Sequence, residues 1–281
     1  MISSIKSLDI PGINAILRFI MKRKILKPTS SHFLSQKFWR ISRRYLSRNL
    51  WSYLYIISQK IKISKNVNTL KNSNLELKKN LNYPKISVKK KSKKKFSYYL
   101  KKFHSSKPEG SYRKFLDSFF LKLKYPNSIL EFGISEGAGI YSMSEYYKNS
   151  KIWGCDIDKE TFIKTRNITS GFCDQVKLSS INKILNKFKT KFDLIIDDGW
   201  HHPQSQINSI IASLPYLNNN GVYISEDIAH DPYKEIFYKV INILKTKGFK
   251  ISYKTYHIEN SNMNLAGTKN NGYLIIYRNL K

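Results

Sequence analysis

Residues 192–202 read FDLIIDDGWHH: an apolar run ends on Asp197 and Asp198, and His201 and His202 follow within four positions. GVYISEDI (221–228) repeats the arrangement, an apolar run ending on Glu226 and Asp227. Carboxylates crowded together repel one another, and protonation or a cation must relieve them. Asp198, Glu226 and Asp227 make an all-oxygen set of the kind that suits Mg²⁺, Ca²⁺ or Mn²⁺ rather than zinc. The alternative is that some of them cap the helices that follow or pair with lysines. An imidazole beside such a group offers a proton acceptor that works near neutral pH. Asp197 alternates to the other side of its strand and reads as structural support.

A second cluster lies upstream. ILEFGISEGAG (129–139) ends an apolar run with Glu131, Gly133, Gly137 and Gly139. Glycines after a strand allow a tight turn and close approach of the backbone to a ligand. The spacing is neither the dinucleotide G-x-G-x-x-G nor a P-loop. WGCDID (153–158) then offers Asp156 at a strand end, where a carboxylate can accept from both hydroxyls of a ribose. Asp156 or Asp158 could equally cap a helix starting near Lys159.

These clusters need strands that end at one edge, and the pattern supplies them. Strands are expected at 128–134, 151–157, 172–178, 192–197 and 221–226, with two more at 249–256 and 272–278. Helices are expected at 139–149, 159–166, 180–188, from Pro203 to Leu217, and at 233–248, with two more before residue 125. Pro203 suits a first helical turn, and Ile207, Ile210, Ile211 and Leu214 recur on one helical face. Strands alternating with helices imply an α/β domain with a mainly parallel sheet, whose ligands bind at the carboxyl ends of the strands.

Charge divides the 281 residues unevenly: residues 1–107 carry 27 Lys and Arg against two acids, and residues 108–281 carry 23 against 17. We expect a basic amphipathic helical extension over 1–63, a Lys/Asn-rich linker over 64–95, and the α/β domain over 96–281. A basic extension can meet nucleic acid or an anionic membrane surface, or pack on a second copy of the chain as a homo-oligomer. Coding bias toward lysine and asparagine would give the same composition without any partner. No apolar run reaches the roughly 18 residues of a membrane span. Cys155 and Cys173 sit in apolar runs as buried free thiols, which suits a reducing, cytoplasmic setting, peripheral to a membrane if the extension binds lipid.

From the ILEFGISEGAG loop through WGCDID to IIDDGWHH and YISEDI, the chain resembles the class I S-adenosylmethionine-dependent methyltransferases. More narrowly it resembles the metal-dependent O-methyltransferases of macrolide and rhamnosyl sugars and their cephalosporin-hydroxylase-like relatives. The resemblance covers about residues 108–281. It implies a Rossmann-like fold with helices on both faces of the sheet. It would place Glu131, Gly133 and Gly137 around the methionine end of S-adenosylmethionine, and Asp156 on the ribose. Asp174 and Gln175 of FCDQV would lie near adenine. A divalent ion, Mg²⁺ by the donor chemistry, would sit on Asp198, Glu226 and Asp227. His201, three residues after Asp198, would be the general base, with His202 as second choice. Cys173 stands where the family has glycine, and Trp200 where it has serine.

The chemistry gives each group a task. An unaided alcohol is nearly as weak an acid as water, and ionising it fully at pH 7 would cost roughly 12 kcal/mol. A cation can share that cost and an imidazole can take the proton. The expected function is methyl transfer from S-adenosylmethionine to a hydroxyl of a sugar or glycosylated small molecule. Two other readings stand beside it: an RNA or cap methyltransferase gripping its substrate through residues 1–95, and a membrane-surface or assembly protein without catalysis.

Overall fold

The computed structural model describes residues 63–64, 66–72, 78, 81–107, 109–228, 230–258 and 271–279. The chain divides into two compact units, 1–65 and 66–281. Of the first only Ile63 and Ser64 are described, so the expected helical extension, apart from Ile63, lies outside the described residues.

The second unit is a seven-stranded sheet. In chain order its elements are β1 (Lys90–Lys91), α1 (Phe96–Lys102), α2 (Ser111–Lys122), β2 (Ser128–Phe132), α3 (Ala138–Tyr146), β3 (Tyr147–Lys148), β4 (Lys151–Asp156), β5 (Ile168–Phe172) and α4 (Leu178–Phe188). β6 (Phe192–Asp197), α5 (Pro203–Ser213), β7 (Leu217–Ser225), α6 (His230–Thr246), β8 (Ile251–Ile258) and β9 (Asn271–Arg278) complete it. The strand order is β5-β4-β2-β6-β7-β9-β8, while β1 and β3 form a separate two-stranded ribbon. The first five strands are parallel, and β9 runs antiparallel to both neighbours. This is the mainly parallel, Rossmann-like arrangement expected.

β2 is buried along its whole length, as a strand covered on both faces must be. Toward one face, Phe96, Tyr99, Leu116, Phe120, Met143 and Tyr146 of α1, α2 and α3 join Ile129, Leu194, Ile196, Val222 and Ile224 in one core. Their strand neighbours Leu130, Ile195 and Tyr223 are buried as well, and alternation turns them to the opposite face. There α4, α5 and α6 pack in sequence.

The structure moves some expected boundaries. Residues 159–166 form only a 3-10 turn at Lys159–Thr161 rather than a helix, and the next strand ends at Phe172, where one was expected to begin. Thr169 and Ser170 in this edge strand hide its alternation. Pro215 ends the long helix in a 3-10 turn, so β7 starts at Leu217.

The stretch expected as a linker carries structure. Residues 66–72 are helical, with Val67 and Leu70 buried and Asn66 donating to Asn208 at 2.8 Å. Lys91 donates to the carbonyls of Phe120, Leu121 and Leu123 at 2.9, 3.0 and 2.9 Å, closing the C-terminal end of α2. The anchors are too widely spaced, and too often lysine or asparagine, to read as a core pattern. The folded unit therefore begins about thirty residues earlier than composition suggests.

Candidate functional site

Ladder bonding runs one residue past the strands at the carboxyl edge. Gly133 N–H donates to Cys155 C=O (2.9 Å), Asp198 N–H to Phe132 C=O (3.0 Å) and Glu226 N–H to Asp197 C=O (2.9 Å). The first residues after β2, β6 and β7 are thereby fixed side by side. β2 and β6 are neighbours with the chain leaving in opposite directions across the sheet, the switch point at which open α/β sheets bind ligands.

Gly133 has φ +87°, and a Cβ there would fall 2.4 Å from the Asp198 carbonyl oxygen. The loop after β2 thus lies backbone against backbone on the loop after β6, a contact only glycine permits. Asp156 holds this loop from β4: its carboxylate accepts from Ile134 N–H (2.7 Å), Ser135 N–H (3.1 Å) and Asp158 N–H (2.9 Å). Asp158, not Asp156, caps the 3-10 turn through Glu160 N–H.

Beside the loop opens a cavity of about 500 Å³, within the range of small-molecule sites. Of the residues expected to hold a cofactor, Gly133, Asp156, Asp174 and Gln175 line it, and Glu131 and Gly137 do not. Ile157, Val176 and Trp200 also line it and are exposed, giving the cavity an apolar rim. The amide of Gln175 is held at both ends. Its Nε2 donates to Asp197 (2.7 Å) and Ser209 (2.8 Å), and its Oε1 accepts from Trp200 N–H (2.8 Å). Gln175 therefore positions the Trp200 loop, with both N–H donors used and one lone pair of Oε1 left. Asp174 accepts from Val176 N–H (3.1 Å) and pairs with Lys177 (3.0 Å).

Glu131 is buried under α3, so close that a Cβ on Gly139 would fall 2.3 Å from its Oε1. Its Oε2 is buried with no hydrogen-bond partner. Burial first, and then the negative charge of Asp198, push its carboxyl well above the usual carboxylate range.

The acid cluster adjoins the cavity through Asp198, which belongs to both. Strand alternation sends Asp197 to the α5 side, where Gln175 and Tyr223 (2.8 Å) hold it, and Asp198 to the side of α2. Glu226 follows the parity of Ile224 toward α2, and Tyr112 donates to its Oε2 at 2.6 Å. Asp227 would point away, but its φ of 51° turns the chain, and its Oδ2 reaches 3.6 Å from His201 Nε2. Asp198 Oδ1 lies 4.0 Å from the same nitrogen. His201 Nδ1 and Asp227 Oδ1 are buried without a partner. His202 instead stands at the start of α5.

One residue in the cluster was not anticipated from the sequence. Lys107 Nζ lies 2.7 Å from Asp198 Oδ2 and hydrogen-bonds Glu226 Oε2, with its side chain only 11 % exposed. Burial would lower the ammonium, but the charges of Asp198 and Glu226 outweigh it and hold it above the usual lysine value. Of the expected ion set, Glu226 has its Oε2 taken by Lys107 and Tyr112. Asp198, His201 and Asp227 each bring one ligand atom within 4.8 Å of the others. Nothing in the sequence separates Lys107 from the other 26 basic residues before Pro108.

No known protein family's sequence profile matches the chain. It is 25% identical over 107 residues to demethylmacrocin O-methyltransferase of Streptomyces fradiae, a stretch covering 36% of this chain and 27% of that protein. Its structure is similar to that of MycE methyltransferase from the mycinamycin biosynthetic pathway, solved in complex with Mg and SAH, with TM-score 0.51 and 17% identity. That match covers 67% of this chain and 56% of MycE. A second MycE structure, with Mg, SAH and mycinamycin VI, matches with the same TM-score over 66% of this chain and 55% of that one. The chain thus spans about half the length of these solved relatives and about a quarter of the curated one. The likeness shows a Rossmann-like methyltransferase fold.

Proposed function

We propose that the protein transfers a methyl group from S-adenosylmethionine to a hydroxyl of a sugar or glycosylated small molecule. The observation that carries this reading is the adjacency of two sites. A cavity of about 500 Å³ beside a glycine loop shares Asp198 with a cluster of three carboxylates, a lysine and a histidine. The demethylmacrocin and mycinamycin enzymes, similar in sequence and fold respectively, are methyltransferases by name, and that supports the reaction class.

In the cavity, the loop after Gly133 would take the amino-acid end of the cofactor, with Glu131 buried behind it. A carboxylate has about four lone-pair directions, and Asp156 uses three on the backbone, leaving one for a ribose hydroxyl. Adenine would lie on the rim of Ile157, Val176 and Trp200, held mainly by apolar contact beside Asp174 and Gln175.

In the cluster, His201 is assigned to the proton. Its Nε2 faces Asp227 and Asp198, and Nδ1 is buried without a hydrogen-bond partner. As the acceptor oxygen attacks, the carbon–sulfur bond breaks and a carbon–oxygen bond forms. The sulfonium becomes a neutral thioether, and the hydroxyl proton passes to the His201 imidazole. A divalent ion fits Asp198 and Asp227, since Mg²⁺ is often held by one or two carboxylates and keeps several waters. When bound it would draw negative charge from the acceptor oxygen. A nitrogen of His201 that bound the ion would be lost to proton transfer.

Calorimetry with S-adenosylhomocysteine, followed by methyl transfer to a panel of rhamnosides and glycosylated macrolides, tests this. We expect His201→Ala to lose about 100-fold or more in turnover while keeping its affinity for S-adenosylhomocysteine. Wild-type protein that does not bind S-adenosylhomocysteine refutes the reading.

A further inference from the structure

Lys107 is held by the fold from two directions. Its carbonyl accepts from Arg113 Nε (3.1 Å) and Nη2 (2.9 Å), and Arg113 also donates to Ser105 C=O at 3.2 Å. The main chain is therefore clamped to the first turns of α2 while the side chain enters the cluster. There the ammonium lies between Asp198 Oδ2, at 2.7 Å, and Glu226 Oε2, which Tyr112 also holds. This is a placed cation and not a surface lysine that has folded inward. An ammonium has three N–H donors, and two are used here. Asp198 is shared: one oxygen faces Lys107 and the other faces His201.

We infer that Lys107 is a further catalytic residue on the acceptor side, a resident cation whose remaining N–H meets the reacting oxygen and which competes with a divalent ion for Asp198 and Glu226. This rests on the methyl-transfer reading for the reaction, although the competition with an ion does not. As methyl passes from sulfonium to oxygen and the proton leaves for His201, partial negative charge develops on that oxygen. A fixed ammonium, largely withdrawn from water, stabilises that charge without reorganising at the moment of reaction. Three carboxylates with no lysine would make an open all-oxygen ion site. With Lys107 in place, one flank is filled and only the Asp198–Asp227 side is left to an ion. Lysine acts as a compact point charge in such a place, which an ion could replace but methionine could not.

The test uses the full chain and Mn²⁺ as probe, measured by calorimetry in the presence of S-adenosylhomocysteine. Lys107→Met should bind Mn²⁺ at least about ten-fold more tightly than wild type, because Asp198 Oδ2 and Glu226 are released to it. Lys107→Gln keeps a hydrogen-bond donor between the carboxylates, covers the case in which the methionine variant does not fold, and should shift in the same direction. Lys107→Arg retains the charge and should stay within about three-fold of wild type. With any acceptor found in the panel, Lys107→Gln should lose about 100-fold in turnover with S-adenosylhomocysteine affinity unchanged. Mn²⁺ affinity equal to or weaker than wild type in the uncharged variants overturns the competition, and undiminished turnover overturns the catalytic role. Failure of wild type to bind S-adenosylhomocysteine removes the methyl-transfer reading and leaves the Mn²⁺ result to stand alone.

Discussion

Replacing Asp197 with asparagine isolates the cost of burying a charge directly behind the site. Burial raises the Asp197 carboxyl to about 6, although hydrogen bonds from Gln175 and Tyr223 pull the other way. An ordinary aspartate titrates near 3.9. Below about pH 4 both folded and unfolded chains hold this proton, and Asp197 contributes no pH dependence. Between about pH 4 and 6 the unfolded chain releases it while the folded chain retains it. More protons are then bound in the folded state, so stability falls as pH rises through this window. The shift of about two units corresponds to about 3 kcal/mol, fully lost above about pH 6. Asparagine can keep both contacts: its oxygen accepts from Gln175 Nε2, and its amide donates to Tyr223, whose hydroxyl can accept. Asp197→Asn should therefore be more stable than wild type by about 3 kcal/mol near pH 7.5, and the difference should shrink toward zero near pH 4. Urea unfolding of both proteins across that range measures it. A difference that stays constant from pH 4 to pH 7.5, or that grows toward acid, would refute the reasoning.

Two further substitutions separate site from scaffold. Gly133→Ala sets a Cβ 2.4 Å from the Asp198 carbonyl oxygen at a φ of +87°; we expect at least about 1–3 kcal/mol of strain and about ten-fold weaker S-adenosylhomocysteine binding by calorimetry. An affinity within about two-fold of wild type would mean that the loop does not contact the cofactor. Asp193 lies at the far end of β6 and accepts from Tyr83 Oη (2.8 Å), Asn127 N–H (2.7 Å) and Asn218 Nδ2 (2.9 Å). Asp193→Ala should cost about 3 kcal/mol in denaturant unfolding, yet leave S-adenosylhomocysteine affinity unchanged in the folded protein.

The sequence by itself determined the sheet and its polar edge. Period-two and unbroken apolar runs separated by helical repeats specify parallel strands covered on both faces, because only such strands bury every residue as β2 does. The glycine at 133 was legible for the same reason, since a close backbone crossing admits no side chain. Asp198 and Glu226 could be placed at strand ends, and His201 near them, by counting along the chain. Tertiary structure decided the rest. Parity alone would turn Asp227 away from Glu226, and a left-handed backbone turn brings it to His201. The Gln175 that the resemblance places near adenine has its amide bound by Asp197, Ser209 and the Trp200 N–H, contacts that only the folded chain assembles. The cation in the cluster is a lysine that lies 91 residues before Asp198 and 119 before Glu226. A one-dimensional pattern records which residues can be buried. It does not record which distant charge comes to neutralise them, because that depends on how α2 and its preceding loop close over the strand ends.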